Sequence, residues 1–149
     1  MTDSQKIVEG LNDLLEKNYD AEKGYKTAAD NTDSTRLKSF FQSHAEQRYG
    51  FGHQIKDAIA QLGGEPDKGG SVTGAVHRGW INFKSALSLS DEEAILEECE
   101  RGEINAVNAY DEFLRDHNLP VWLSKKIYDQ RNGIARSLTK VQVMEEQYD

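Results

Sequence analysis

The sequence is short of everything that staples or anchors a chain: it has one cysteine, two prolines, and no apolar run long enough to cross a bilayer. A lone Cys99 cannot close an internal disulfide, which agrees with a reducing compartment. Basic residues are outnumbered, 18 Lys and Arg against 26 Asp and Glu, and they form no cluster. With a net charge of -8 the chain lacks the concentrated positive surface that a phosphate backbone or an anionic membrane requires, so neither nucleic acid nor membrane is expected as a partner. The opening MTDSQKIVEG has neither the basic start nor the apolar stretch of a secretion signal, and a cytoplasmic location is the expectation. Period-two alternation is also missing, which leaves no candidate strand.

What the chain has instead is helical periodicity. At 149 residues it is read as one domain, with length enough to bury roughly two-thirds of its unfolded surface. Ile7, Leu11, Leu14, Leu15, Asn18, Glu22, Tyr25 and Ala29 recur at three-and-four spacing and predict a first helix over residues 4–29, with Thr2 and Gln5 as a capping pair. A polar turn from Asp30 to Ser34 precedes a second stripe through Leu37, Phe41, His44, Arg48, Phe51, Ile55, Ala58 and Leu62, which Gly63, Gly64 and Pro66 stop. Val76, Trp80, Phe83 and Leu87 predict a shorter crossover helix over residues 71–87.

A long third helix follows from Ser90 to His117, started by a Ser90–Glu93 capping box and striped by Ile95, Cys99, Ala106, Tyr110 and Phe113. Pro120 opens the last helix, whose inward positions are Leu123, Ile127, Gln130, Ile134, Leu138, Val141 and Met144. Four long helices in two short-linked hairpins, joined by a long crossover, predict an all-α, up-down-down-up four-helix bundle of the ferritin-like kind.

Each stripe carries a polar residue that needs a partner once buried. These are Glu22, Arg48, Glu103 and Gln130, and the hairpins echo one another, since each brings in one carboxylate and one other polar group. Together with His44 they predict a buried polar cluster in which Arg48 neutralises the glutamates. Cys99, on an apolar stripe with no basic neighbour facing it, is expected to be a small hydrophobe. The helix-interior glycines Gly24, Gly50, Gly52, Gly102 and Gly133 suggest close helix approach or room for a bulky neighbour. His77, Arg78, Trp80 and Ile81 on the crossover helix form a candidate interaction surface, and a homo-oligomer is one way to use it.

The segments LGGEPDKGGSVTGAVHRGWINFKSAL, residues 62–87, and ILEECERGE, residues 95–103, resemble a family of uncharacterised bacterial ferritin-like bundles grouped under a domain of unknown function. The likeness extends more loosely from about Leu11 to about Val141 and is distantly similar to rubrerythrins and ferritins. That resemblance implies a di-iron pattern: a Glu from each of two helices and a Glu-x-x-His pair from each of the others. Glu22 and Glu103 match the single glutamates. Arg48 and Phe51 stand where the second helix should offer Glu and His, and Gln130 and Gly133 stand where the fourth should. The expectation is therefore a bundle with no cofactor, in a structural, stress-related or protein-interaction role rather than an enzymatic one. The alternative is a metal-binding oxidoreductase or iron-handling protein that holds iron or manganese through Glu22, His44 and Glu103.

Overall fold

The computed structural model describes residues 1–68, 83, 85–87 and 91–148. Four long helices dominate: α1 (Asp3–Asn31), α2 (Thr35–Gln61), α3 (Glu92–Asp116) and α4 (Val121–Glu145), with a last 3-10 turn at Glu146–Tyr148. No strand occurs among the described residues.

The ends of the helices are set by local chemistry. Thr2 and Gln5 cap α1 reciprocally, Gln5 N–H donating to Thr2 Oγ1 at 3.1 Å and Thr2 N–H to Gln5 Oε1 at 2.8 Å. The Ser34 hydroxyl accepts from Leu37 N–H at the start of α2. That helix ends in a Schellman arrangement: Gly63 takes φ +77°, and the amides of Gly63 and Gly64 return to the carbonyls of Ala60 and Ile59. Only a residue without a side chain enters that left-handed conformation cheaply.

At α3 the expected Ser90–Glu93 capping box is corrected. The N-cap is Asp91, whose Oδ1 accepts from Ala94 N–H at 3.2 Å. A carboxylate caps as well as a hydroxyl, and starting one residue later leaves Glu92 and Glu93 in the first turn, where the helix dipole favours negative charge. Most of the expected crossover helix, and with it His77, Arg78, Trp80 and Ile81, lies outside the described residues. Phe83 and residues 85–87 are helical, and Ala86 and Leu87 are buried against the bundle.

Helices α1 and α2 pair along their length, as do α3 and α4. The turns between them, residues 32–34 and 117–120, are too short for anything but an antiparallel hairpin. Between hairpins, Gly10 faces Phe113 and Asn18 meets Tyr110, while Gln47 bonds Ser137 and Gln54 bonds Gln130. In each set, rising numbers on one helix meet falling numbers on the other.

The interior is layered. One apolar cluster packs Leu11, Leu15, Ile55, Ile59, Phe113, Leu123 and Ile127; a second packs Tyr25, Phe41, Ile95, Leu96, Cys99 and Val141. Burial of such side chains, roughly 1.5–3 kcal/mol each, holds the hairpins together. Between the two clusters lies a belt of buried polar residues.

Candidate functional site

The belt is continuous across all four helices. Arg48 of α2 and Glu103 of α3 form its centre, Nη2 to Oε1 at 2.6 Å, with side chains 1% and 3% exposed. Arg48 Nη1–H donates to Asn18 Oδ1 of α1 at 3.2 Å. The Asn18 amide then donates to the Tyr110 hydroxyl at 2.8 Å and to the Leu14 carbonyl of its own helix, also at 2.8 Å. Tyr110 passes its proton bond on to Gln130 Oε1 at 2.7 Å, and the Gln130 amide reaches Gln54 Oε1 at 2.9 Å and the Phe51 carbonyl at 3.2 Å.

Each link satisfies a group that would otherwise cost about 1–3 kcal/mol to bury alone. Burial works against the Arg48 charge, but Glu103 first, then Tyr25 and Tyr110, outweigh it and raise its pKa. The Tyr110 phenol is pushed up to about 12, chiefly by burial. Tyr25 is lifted well above the usual phenol range, by burial and then by the Glu103 charge beside it.

Of the five residues expected in the cluster, Arg48, Glu103, Gln130 and His44 are buried. Arg48, Glu103 and Gln130 share the belt, and His44 stands one turn along α2 from Arg48. Its Nδ1 bonds the Phe40 carbonyl at 2.8 Å, its ring stacks 4.1 Å from Phe40 and 5.5 Å from Tyr25, and its pKa is lowered, chiefly by burial. Glu22 departs from the expectation. It turns outward to Lys26, Nζ to Oε2 at 2.6 Å, because a cation four residues on offers a partner in water and the belt has a neutral one in Asn18. Asn18, Tyr110 and Gln54 are the members that sequence reasoning did not assign to the cluster. Asn18 is signalled by its place between Leu14, Leu15 and Tyr25 on the apolar stripe, and Tyr110 carries its hydroxyl at a position that periodicity reads only as apolar.

Arg48 Nε–H and Glu103 Oε2 are shut away from solvent with no partner at close hydrogen-bond distance, and the Tyr25 hydroxyl is the further side-chain hydrogen-bond partner of the Glu103 carboxylate. Arg48, Glu103, Tyr25 and Cys99 all border a cleft of about 600 Å³ between α1 and α3. The cleft exists because the facing residues are small: Ala21 and Gly24 on α1, Gly102, Ala106 and Ala109 on α3. A Cβ added at Gly102 would meet nothing within 4 Å. Cys99 is buried, and its thiol is pushed well above its ordinary pKa by burial first and then by the Glu103, Glu145 and Glu98 charges, which keeps it protonated and unreactive.

The donor set does not fit a pair of divalent cations. One carboxylate already spent on a guanidinium, two amides and a phenol supply neither the charge nor the imidazoles such a site needs. Among the described residues no three His, Cys, Asp or Glu side chains gather as a metal site, and Glu22, His44 and Glu103 do not come together.

No curated protein matches the sequence. Residues 6–116 match the family described as Domain of unknown function (DUF2383), a span that covers α1 from Lys6 onward, α2 and α3, and with them Asn18, Arg48, Glu103 and Tyr110 of the belt. The chain belongs to that family.

Proposed function

We propose that this protein is a ferritin-like, up-down-down-up bundle that carries an ion-paired polar belt in the position a di-metal site would occupy. It works as a binding protein in a structural or interaction role rather than as a redox catalyst. The antiparallel contacts between the hairpins support the topology. The observation that carries the functional reading is the Arg48–Glu103 pair, almost fully buried between residues that border a cleft. A guanidinium cannot deprotonate to make way for a metal, and displacing it would strand its charge in the core, which costs several kcal/mol. The belt is therefore a permanent structural device, and the cleft beside it is a part of the molecule shaped to receive something.

The test is elemental analysis of the full chain expressed in iron- and manganese-supplemented medium, followed by anaerobic ferrous titration. No stoichiometric transition metal after desalting and no tight heat of binding are expected. Metal retained in stoichiometric amount, and lost in Glu103→Ala, would replace this reading with the iron-handling one.

A further inference from the structure

We propose that a pocket between α2 and α4 binds a small tetrahedral oxyanion, either free phosphate or sulfate, or the phosphoryl end of a small organic phosphate. The pocket lies on the other pair of helices from the α1–α3 cleft, and the proposal goes beyond the reading above because it asks nothing of that cleft.

Ser43, His44 and Gln47 of α2 and Arg136, Ser137 and Lys140 of α4 line the pocket. Each of these side chains carries a hydrogen-bond donor, and no carboxylate is among the described residues around it. The chain has 26 Asp and Glu against 18 Lys and Arg, so its cations have carboxylates to spare. The other described arginines use what is near them: Arg48, Arg101, Arg115 and Arg131 each pair with a carboxylate, and Arg36 bonds the Gln147 amide oxygen. Arg136 forms no ion pair among the described residues, and neither does Lys140, one turn further along the same face of α4. Like charges four residues apart on a helix repel each other. An anion held by both removes that cost and gains charge-assisted hydrogen bonds.

Uncharged groups fix the inner side. Ser137 is buried, and its hydroxyl lies 3.1 Å from Gln47 Oε1 and 3.1 Å from the Gly133 carbonyl. With its oxygen held in this way, the Gln47 amide turns its Nε2 toward Gly133, where an added Cβ would come within 3.4 Å of it. That sets a donor beside Gly133, another residue of the lining. His44 is fixed by its Nδ1 contact with the Phe40 carbonyl, and Lys140 is near enough to act on its charge.

Size and exposure narrow the class. About 80 Å³ is room for a few waters, at about 30 Å³ each in the liquid, or for one small oxyanion. It is well below the roughly 300–1,000 Å³ of sites that enclose an organic ligand. Donors that arrive from two helices suit an acceptor with several oxygens better than a single atom. Arg136 and Lys140 are exposed, so solvent screens them and the affinity is modest.

The probes are sulfate, inorganic phosphate and glycerol 3-phosphate, titrated into the full chain at low ionic strength by calorimetry and by NMR of the His44 ring. Sodium chloride at matched ionic strength is the reference. Sulfate and phosphate should bind at millimolar concentration, and chloride should not reproduce their effect. Glycerol 3-phosphate binding more tightly than phosphate identifies a phosphoryl group as the ligand, and the reverse order identifies the free ion. Sulfate does not titrate near neutral pH, so it isolates the response of His44. Saturating sulfate should raise the His44 pKa, acting with Glu103 of α3 and the Phe40 carbonyl and against Arg48 of α2 and Lys140 of α4; Arg136 borders the same pocket, and Tyr25 of α1 faces the ring without charge.

Arg136→Gln with Lys140→Gln should weaken sulfate by about tenfold or more, the loss of roughly one charge-assisted hydrogen bond, and should abolish the His44 shift. Lys6→Gln with Lys125→Gln removes the same charge outside the pocket and should leave the affinity at that of wild type. All four residues are exposed, so both variants should keep cooperative melting. Wild type that ignores sulfate, an equal response to chloride, a His44 pKa that sulfate leaves unmoved, or equal weakening by the two variants would each overturn the proposal.

Discussion

Arg48 Nη2 stands 2.6 Å from Glu103 Oε1, and almost no water reaches either side chain. The pair joins two helices that belong to different hairpins, so it bears on how the halves dock as well as on how each is held. Removing one partner leaves the other's charge uncompensated in a low-dielectric core.

Arg48→Ala should therefore destabilise the protein by about 3 kcal/mol, well beyond a surface change. Arg48→Met with Glu103→Gln should recover much of that loss, since the core then holds no charge. Urea unfolding at pH 7 measures both. An Arg48→Ala midpoint equal to wild type would mean that the pair contributes nothing to docking.

Tyr110 links Asn18 to Gln130, and its pKa near 12 in the folded protein, against 10.0 ordinarily, ties stability to alkaline pH. A raised folded pKa means that the unfolded chain releases the proton first, so the phenol's contribution is complete below pH 10 and is lost as pH climbs toward 12. Two units correspond to about 3 kcal/mol. Tyr110→Phe should cost about 1–3 kcal/mol at pH 7 by orphaning its two partners. It should also flatten the fall in unfolding free energy between pH 10 and 12, with the remaining slope due in part to Tyr25, which shifts the same way. An unchanged slope would remove Tyr110 from this role.

His44 acts at the other end of the pH scale. Burial lowers its pKa first; the Phe40 carbonyl and Glu103 pull it up, and Lys140 and Arg48 push it down again. A lowered folded pKa contributes stability that is complete above the ordinary value of 6.5 and is lost as pH falls through the folded value. The wild-type melting temperature should drop below pH 6.5, and His44→Phe, which keeps the ring contacts with Phe40 and Tyr25, should drop less steeply. Parallel curves for the two proteins would place the acid sensitivity elsewhere.

Two glycines should respond to the same substitution with opposite signs. A Cβ at Gly10 would lie 2.8 Å from the Phe113 ring, whereas one at Gly50 meets nothing within 4 Å. Gly10→Ala forces a buried ring to shift and should destabilise by about 1–3 kcal/mol. Gly50→Ala relieves a flexible helix position and should stabilise by about 0.5–1 kcal/mol. Thermal melts of both proteins decide it, and a stabilised Gly10→Ala would mean that α1 and α3 can separate freely at that end.

How much of this was written in the chain can be judged residue by residue. The stripes, the Thr2 cap and the glycine stop after Gln61 are local: neighbours within a few positions dictate them, and they were legible without any tertiary contact. So was the burial of Arg48, Glu103 and Gln130, because each replaces an apolar residue at a central stripe position. Asn18 and Glu22 show where local reading ends. They are four residues apart on one face of α1, equally placed by periodicity, and only the height of Arg48 and Tyr110 on the facing helices selects Asn18 for the belt. Lys26 then draws Glu22 outward. The cleft is likewise a tertiary fact, because Gly24 and Gly102 make a slot only when α1 and α3 stand opposite each other. Periodicity tells a side chain to face inward; what it meets there depends on the rise of another helix, and no short-range pattern carries that register.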